Sequence, residues 1–330
     1  MVPSPAVQPG LPYWRVSRVG LVLGGGGAVG HGFHNGLLAA MQATIGFDAR
    51  SATIIVGTSS GATIAGLVRA GLTGSDLAGR ACGEAASARL QRIDARRARP
   101  AHTPPARSGA FRLRLIVPAS PRGAWAASRT SGGARLGTMI GALLPEGAVP
   151  TVSTAGPLHN LFPRGWPSAA LWIPAVGIDD GERVIFGRRG APVTDVATAV
   201  AASCALPGWF APVVVDDRRY IDGAMWSATN ADVLASEALD VVSISAPLSG
   251  SSSVLHRWQR RRLRDEARQL RAAGTTVIAV EPTPADAAAM GIDIMNKKRR
   301  AAVTRHVRSA MVERLQRGDL AELGELVAGR

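Results

Sequence analysis

The sequence is short of cysteine, lysine and aromatic residues, and each shortage excludes a class of protein. Its 330 residues contain two cysteines, Cys82 and Cys204, too few for a small fold that disulfides hold together. No apolar run is long enough to cross a bilayer as a helix, so we expect no membrane-spanning helix. Aromatic residues make up 5% of the chain and do not interleave with basic ones, so we expect no specific nucleic-acid partner.

Positive charge is plentiful but comes from arginine, because Lys297 and Lys298 are the only lysines among 38 basic residues. The formal net charge is +14. Guanidinium groups suit surfaces that carry phosphate, so we expect peripheral contact with an anionic membrane. The sequence shows no secretion-signal pattern, so we expect a cytoplasmic location. Nothing in it specifies an oligomeric state.

A sharp strand-to-helix turn is the clearest local pattern. The segment Gly-Thr-Ser-Ser-Gly at 57–61 directly follows the apolar run Thr53–Val56. This spacing predicts a nucleophile elbow, which lifts the hydroxyl of Ser59 above the sheet edge. Gly57 and Gly61 fit because a side chain at either flank would clash in so tight a turn. The same pattern is also compatible with a plain turn that has no catalytic serine.

A glycine-rich loop, residues 24–30, precedes the elbow by one strand and follows the strand-like run Val19–Leu23. Its backbone N–H groups, at the start of a helix, suit a dinucleotide, a nucleotide phosphate or the oxyanion of an acyl-transfer reaction. A dinucleotide site needs an acid at the end of the second strand, but Asp48 precedes that strand. No Gly-Lys-Ser/Thr follows the loop, which disfavours a P-loop. An oxyanion hole facing Ser59 fits best.

A serine nucleophile needs a base, and the histidines do not offer an evident one. His31 and His34 lie at the start of the glycine-loop helix, where we expect a packing or solvent-facing role. The acid with the most informative context is Asp222, which ends a strand and precedes Gly-Ala. The same context is typical of an ordinary turn, so the local residues leave the partner of Ser59 open.

Three elements in order resemble the patatin-like phospholipase family: the glycine loop, the elbow and Asp222-Gly223-Ala224. The segment Ala201–Pro212 also looks like the family's segment before its catalytic aspartate, and the similarity runs from about Arg18 to Leu248. One position departs from the family pattern, because Val29 stands where members usually carry Arg or Lys.

The resemblance implies a fold, a dyad and an oxyanion hole. The fold would be α/β, a three-layer α/β/α patatin-like architecture with a mainly parallel central sheet, which the alternation of strand-like and helical stretches also favours. Ser59 would be the nucleophile and Asp222 the general base. The oxyanion hole would use backbone N–H groups of Gly25, Gly26 and Gly27, and the supporting motif residues are Gly30, Gly57, Gly61, Gly223 and Ala224.

The chain divides into three predicted parts. Residues 1–16 form a flexible tail, 17–248 the patatin-like catalytic domain, and 249–330 a helix-strand-helix segment that completes the fold. An Arg/Pro-rich stretch at 92–133 is predicted to be irregular, either a lid over the acyl pocket or a flexible insertion. The run Leu255–Ala272 predicts a basic amphipathic helix, which either packs with a solvated arginine face or touches anionic lipid.

The predicted function is a serine lipid acyl hydrolase of the phospholipase A, lysophospholipase or esterase type, with no cofactor and no metal. Its substrate would be a carboxylic ester of a lipid. One alternative is an α/β-hydrolase-type esterase with a Ser-Asp-His triad, in which His256 or His306 would be the base. A second alternative, motivated by Val29, is a weakly active or inactive lipid-binding protein of the same fold.

Overall fold

The computed structural model describes residues 17–98, 118–129, 134–147, 149, 158–163, 165–250 and 254–327. Its strands are β1 Val19–Leu23, β2 Ile54–Gly57, β3 Ala170–Gly177, β4 Arg183–Phe186, β5 Val213–Val215, β6 Arg218–Asp222, β7 Val241–Ser245 and β8 Thr276–Val280. Its helices are α1 Gly27–Ile45, α2 Ser60–Arg69, α3 Gly74–Cys82, α4 Ala88–Arg97, α5 Pro121–Arg129, α6 Ala134–Leu143, α7 Val196–Ser203, α8 Val254–Ala272, α9 Pro284–Met290 and α10 Arg300–Gln316.

The eight strands form one sheet in the order β5-β6-β3-β2-β1-β7-β8, and β4 pairs with β3 outside this path. Strands β3, β2, β1, β7 and β8 run parallel to one another. Strands β4 and β6 are antiparallel to β3, and β5 is antiparallel to β6. The prediction of an α/β fold with a mainly parallel sheet is therefore confirmed.

Both faces of the sheet are buried, as the period-two alternation along β1 shows. Leu21 and Leu23 enter the larger core cluster, whereas Val22 enters a second cluster on the opposite face. Helices α1, α2, α3, α7 and α10 supply side chains to the first cluster, and α8 supplies Leu263 and Leu270 to the second. Burial on two faces explains why the parallel strands read as continuous apolar runs.

The structure departs from the sequence expectation in the stretch 92–133. Helix α4 extends into it and α5 lies within it, so this stretch is not irregular throughout. Ser87 caps α4, because its hydroxyl oxygen accepts the N–H of Leu90 at 3.0 Å. Residues 99–117 and 130–133, and the predicted tail 1–16, lie outside the described residues.

The C-terminal part of the chain joins the same sheet. Strand β8 pairs with β7 along its whole length, and α8 packs its apolar side on the sheet. The opposite side of α8 exposes five arginines: Arg257, Arg261, Arg264, Arg268 and Arg271. Among the helices of the described ranges, none combines the length and apolar character that a bilayer crossing requires.

Candidate active site

The serine lies at a strained turn between β2 and α2. Ser59 has φ 53° and ψ −119°, a conformation that a residue with a Cβ rarely adopts. The turn needs small neighbours, since a Cβ built on Gly61 would lie 1.9 Å from the carbonyl oxygen of Leu23. The close approach of α2 to β1 thus explains the second glycine of the predicted elbow.

Asp222 lies at the end of β6 and meets Ser59 across the sheet edge. The Ser59 hydroxyl donates to Asp222 Oδ2 at 2.7 Å, and the N–H of Ala224 donates to Oδ1 at 2.8 Å. Asp222 is 2% exposed. Burial raises the pKa of Asp222 to about 7. The two hydrogen bonds favour the charged form and lower the pKa, but their effect is smaller than that of burial. A carboxylate with this pKa is a far better base at neutral pH than an ordinary aspartate.

The peptide groups of Ser59 are held from one side by the end of α7. The Ser59 N–H donates to Ser203 Oγ at 2.9 Å, and the Cys204 thiol donates to the Ser59 carbonyl oxygen at 3.2 Å. Burial raises the pKa of Cys204, so its sulfur stays protonated and able to donate. These contacts give the segment before Asp222 a physical role, which is to hold the elbow in its strained conformation.

Replacing Ser59 by Gly is expected to give a more stable protein than replacing it by Ala. Both variants lose the hydroxyl, so the difference between them isolates the backbone. The strain on a Cβ-bearing residue here is on the order of 1–3 kcal/mol, and glycine relieves it at an entropic cost of about 0.5–1 kcal/mol. We expect the free energy of unfolding of Ser59→Gly to be higher by about 1 kcal/mol in urea denaturation. Equal stabilities would contradict a strained elbow.

The peptide bond between Gly24 and Gly25 is clamped at both ends. The Gly24 carbonyl accepts from His34 Nε2 at 2.7 Å, and the Gly25 N–H donates to the Ala228 carbonyl at 2.8 Å. The other ring nitrogen, Nδ1, accepts from the Ser245 hydroxyl at 2.8 Å. Burial lowers the pKa of His34 to about 4, so the ring is neutral at physiological pH. His34, for which the sequence predicted a packing or solvent-facing role, is buried and also orients the glycine loop.

The glycine loop differs in one respect from the sequence expectation. Gly25 was expected to be an oxyanion donor, but its N–H is occupied by the Ala228 carbonyl, so we correct the donor set. The N–H groups of Gly26 and Gly27 have no partner among the described residues, and they lie at the start of α1. The positive end of the α1 dipole favours an anion at this position. Gly27 needs its glycine because its φ is 60°.

Val29 is completely buried in the larger core cluster. Its N–H donates to the Ile294 carbonyl at 3.2 Å. A Cβ built on Gly27 would lie 2.5 Å from that same oxygen. The glycine loop is therefore braced by backbone contact with the segment after α9, at the position where the family usually carries a cation.

The remaining motif glycines lie where a Cβ would closely approach a neighbouring residue. A Cβ on Gly57 would lie 2.7 Å from Ala62 Cα, one on Gly30 3.0 Å from Ser60 Oγ, and one on Gly223 2.4 Å from the Pro174 carbonyl oxygen. Within the part of the chain that the structure describes, no group of three or more His, Cys, Asp or Glu side chains is arranged to hold a metal ion.

Comparison with known proteins gives one family. The family model of the patatin-like phospholipases matches residues 21–235. Among solved structures, the chain is similar to VipD from Legionella pneumophila, at 13% identity and a TM-score of 0.42, over 91% of this chain and 67% of VipD. It is also similar to the type III effector protein ExoU, at 17% identity and a TM-score of 0.35, over 92% of this chain and 54% of ExoU. No curated protein sequence matches significantly.

The structural similarities are distant, and the chain spans little more than half of ExoU. The family match covers more than half of the chain and includes the glycine loop, the elbow and Asp222. The chain belongs to the patatin-like phospholipase family, whose name denotes lipid hydrolysis.

Proposed function

We propose that this protein is a serine lipid acyl hydrolase that cleaves carboxylic esters of lipids with Ser59 and Asp222. The observation that carries the proposal is the 2.7 Å hydrogen bond from the Ser59 hydroxyl to the buried Asp222 carboxylate. This hydrogen bond joins a hydroxyl on a strained elbow to a base. The pKa of that base is raised to about 7 by burial. A nucleophile with a base in hydrogen-bond contact is the arrangement that covalent acyl transfer requires.

In the first half of the reaction, Asp222 takes the proton of Ser59 as Oγ attacks the ester carbonyl carbon. The tetrahedral oxyanion that forms accepts hydrogen bonds from the N–H groups of Gly26 and Gly27, next to the positive end of α1. Asp222 then gives its proton to the leaving alcohol as the carbon–oxygen bond breaks. The result is an acyl-enzyme on Ser59 and a free alcohol.

In the second half, Asp222 takes a proton from water as the water oxygen attacks the acyl-enzyme. The same N–H groups stabilise the second oxyanion. Collapse of this intermediate releases the fatty acid and returns the proton from Asp222 to Ser59 Oγ. One carboxylate thus serves both steps, which is consistent with a pKa near neutrality.

The direct experiment is hydrolysis of a substrate panel by the purified protein. The panel contains diacyl phospholipid vesicles, lysophospholipid and short p-nitrophenyl esters, and free fatty acid or nitrophenol is measured. We expect release from at least one lipid substrate that depends on Ser59. No release from any of them by folded protein would favour the alternative of an inactive lipid-binding protein.

A histidine-dependent triad predicts a different base. In this structure the Ser59 hydroxyl donates to Asp222, whereas His306 Nε2 lies 3.0 Å from Asp286, a pair between α10 and α9. We expect the double variant His256→Ala, His306→Ala to keep kcat/KM for a p-nitrophenyl ester within about threefold of the unmodified protein, because neither ring takes the serine proton. A loss of about 100-fold or more, without unfolding, would favour the triad.

We further propose that the exposed arginine side of α8 contacts an anionic membrane. The five arginines on this side are exposed, and the opposite side of the helix packs on the sheet. Each arginine near an anionic bilayer contributes about 1 kcal/mol. We expect cosedimentation with vesicles that contain phosphatidylserine and little with phosphatidylcholine alone. Equal binding to both would argue against an electrostatic contact.

A further inference from the structure

We propose that Gln259, in α8, is a positioning residue that fixes the glycine loop and Asp222 relative to each other. This role presupposes the hydrolase function proposed above. Gln259 lies outside the residues that the family model matches, and strand β7 separates it from Asp222 along the chain. Its side chain is 5% exposed, so both of its polar atoms must find partners inside the protein.

The two polar atoms of Gln259 bind two peptide groups of the segment that follows Asp222. Oε1 accepts the N–H of Ala228 at 2.8 Å, and Nε2 donates to the carbonyl of Ala224 at 3.4 Å. We call residues 224–231 the bridging segment. A primary amide is suited to this position because it offers an acceptor and a donor on one rigid group.

Each of these two residues also contacts the proposed machinery. The carbonyl of Ala228 accepts the Gly25 N–H at 2.8 Å, which orients the glycine loop. The N–H of Ala224 donates to Asp222 Oδ1 at 2.8 Å, which orients the carboxylate toward Ser59. A continuous chain of hydrogen bonds therefore runs from Gly25 through Gln259 to Asp222.

Helix α8 provides a rigid base for this chain. Two turns after Gln259, the buried side chain of Glu266 accepts the Ala231 N–H at 2.9 Å and the Thr229 hydroxyl. The bridging segment is thus attached to α8 at both of its ends. Asn230, within the segment, donates to Thr58 Oγ1 at 3.2 Å, next to the elbow. Small displacements of reacting groups cost up to about 100-fold in rate, so this attachment bears on kcat.

The test compares three variants of the full chain. Gln259→Met keeps side-chain volume but leaves the Ala228 N–H and the Ala224 carbonyl without partners. Gln259→Glu keeps an oxygen for the Ala228 N–H. Gln269→Met, on the exposed side of the same helix, is the matched control. For each we measure kcat and KM on a soluble p-nitrophenyl ester, thermal unfolding, and amide hydrogen exchange of the glycine loop and of the middle of α1.

For Gln259→Met we expect a 10- to 100-fold lower kcat at a KM within about twofold, and faster exchange at Gly25 with α1 unchanged. Gln259→Glu should recover only part of kcat, because it cannot donate to the Ala224 carbonyl, and Gln269→Met should match the unmodified protein. A Gln259→Met that unfolds at lower temperature but keeps kcat per folded molecule, with Gly25 exchange unchanged, would overturn the positioning role. If Gln259→Met does not fold, Gln259→Glu decides, because it loses the donor to the Ala224 carbonyl. A folded Gln259→Glu whose kcat and Gly25 exchange both equal those of Gln269→Met would then overturn the role.

Hydrogen exchange separates this role from the hydrolase proposal. If the unmodified protein hydrolyses no ester, the proposed function fails, but faster Gly25 exchange in Gln259→Met would still support the structural link. If the unmodified protein is active and the Gly25 exchange rate is the same in Gln259→Met and Gln269→Met, the hydrolase proposal stands and the positioning role is wrong.

Discussion

Ser59→Ala is expected to lower kcat for every ester substrate by about 10,000-fold or more, because the proposed mechanism forms the acyl-enzyme on the Ser59 hydroxyl. Truncation at Cβ leaves the elbow's backbone contacts with Ser203 and Cys204 in place. The fold should therefore persist, and far-UV circular dichroism and thermal unfolding should change little. The measurement is fatty-acid release from phospholipid vesicles together with nitrophenol release from a short ester.

Ser60 provides a matched control for this variant, because it is the next residue of the same motif and begins α2. Its side chain is buried, whereas that of Ser59 is only partly buried. We expect Ser60→Ala to retain kcat within about tenfold, since the Ser60 hydroxyl has no hydrogen-bond partner among the described residues. Activity that survives Ser59→Ala but is lost in Ser60→Ala would show that the nucleophile has been assigned to the wrong serine.

Asp222→Asn is expected to lower kcat by about 1,000-fold, because an amide oxygen can accept a hydrogen bond but cannot take the serine proton. The substitution is nearly isosteric, and the Ala224 N–H keeps its acceptor. Asp216→Asn is the control: Asp216 is exposed in the nearby β5–β6 turn at φ 48°, which asparagine tolerates. A variant Asp222→Asn with more than about a tenth of the original kcat would contradict the dyad.

The pKa of Asp222 also predicts a pH profile. The carboxylate must be ionised to act as base, and burial raises its pKa to about 7. Below that pH the group is protonated, so kcat/KM should fall tenfold for each further pH unit, and above it kcat/KM should reach a plateau. The profile is measured with a short ester at constant ionic strength between pH 5 and 9. A kcat/KM that stays constant down to pH 5, as an aspartate with an ordinary pKa near 4 would give, would show that Asp222 is not desolvated in solution.

Elements with strong local signals could be predicted from the sequence. The Gly-x-Ser-x-Gly pattern lies between β2 and α2, and the Asp216-Asp217 pair forms the two-residue turn between β5 and β6. In both places the apolar run and the turn residues act over only a few positions. Short-range sterics decide such features, which is why one sequence suffices to locate them.

Long-range contacts are different. Ser59 and Asp222 are 163 positions apart, and they meet because β6 pairs with β3, which in turn pairs with β2. No local pattern specifies that pairing, and only the order of three motifs suggested it. Gln259 carried no signal at all, since its partners are backbone groups of Ala224 and Ala228. Backbone partners leave no trace in the identity of the residues that provide them.

The sequence contains a capping signal for helix α5, but the composition of the surrounding stretch outweighed it in the prediction. The surrounding stretch is rich in arginine, proline and glycine, which predicted irregular structure. Ser120-Pro121 nevertheless has the composition of an N-cap followed by a first helical residue. In the structure the Ser120 hydroxyl oxygen accepts the N–H of Gly123 at 3.0 Å, as a cap does. Capping residues would therefore have identified this helix where composition did not.

The most direct test of the dyad is covalent labelling of the folded protein by a fluorophosphonate, followed by mass spectrometry of its peptides. We expect one adduct per chain, on Ser59, with none in Ser59→Ala and much slower labelling in Asp222→Asn, since the base must activate the hydroxyl. Labelling of the unmodified protein at another residue, or no labelling of Ser59 in a protein shown to be folded, would contradict the dyad.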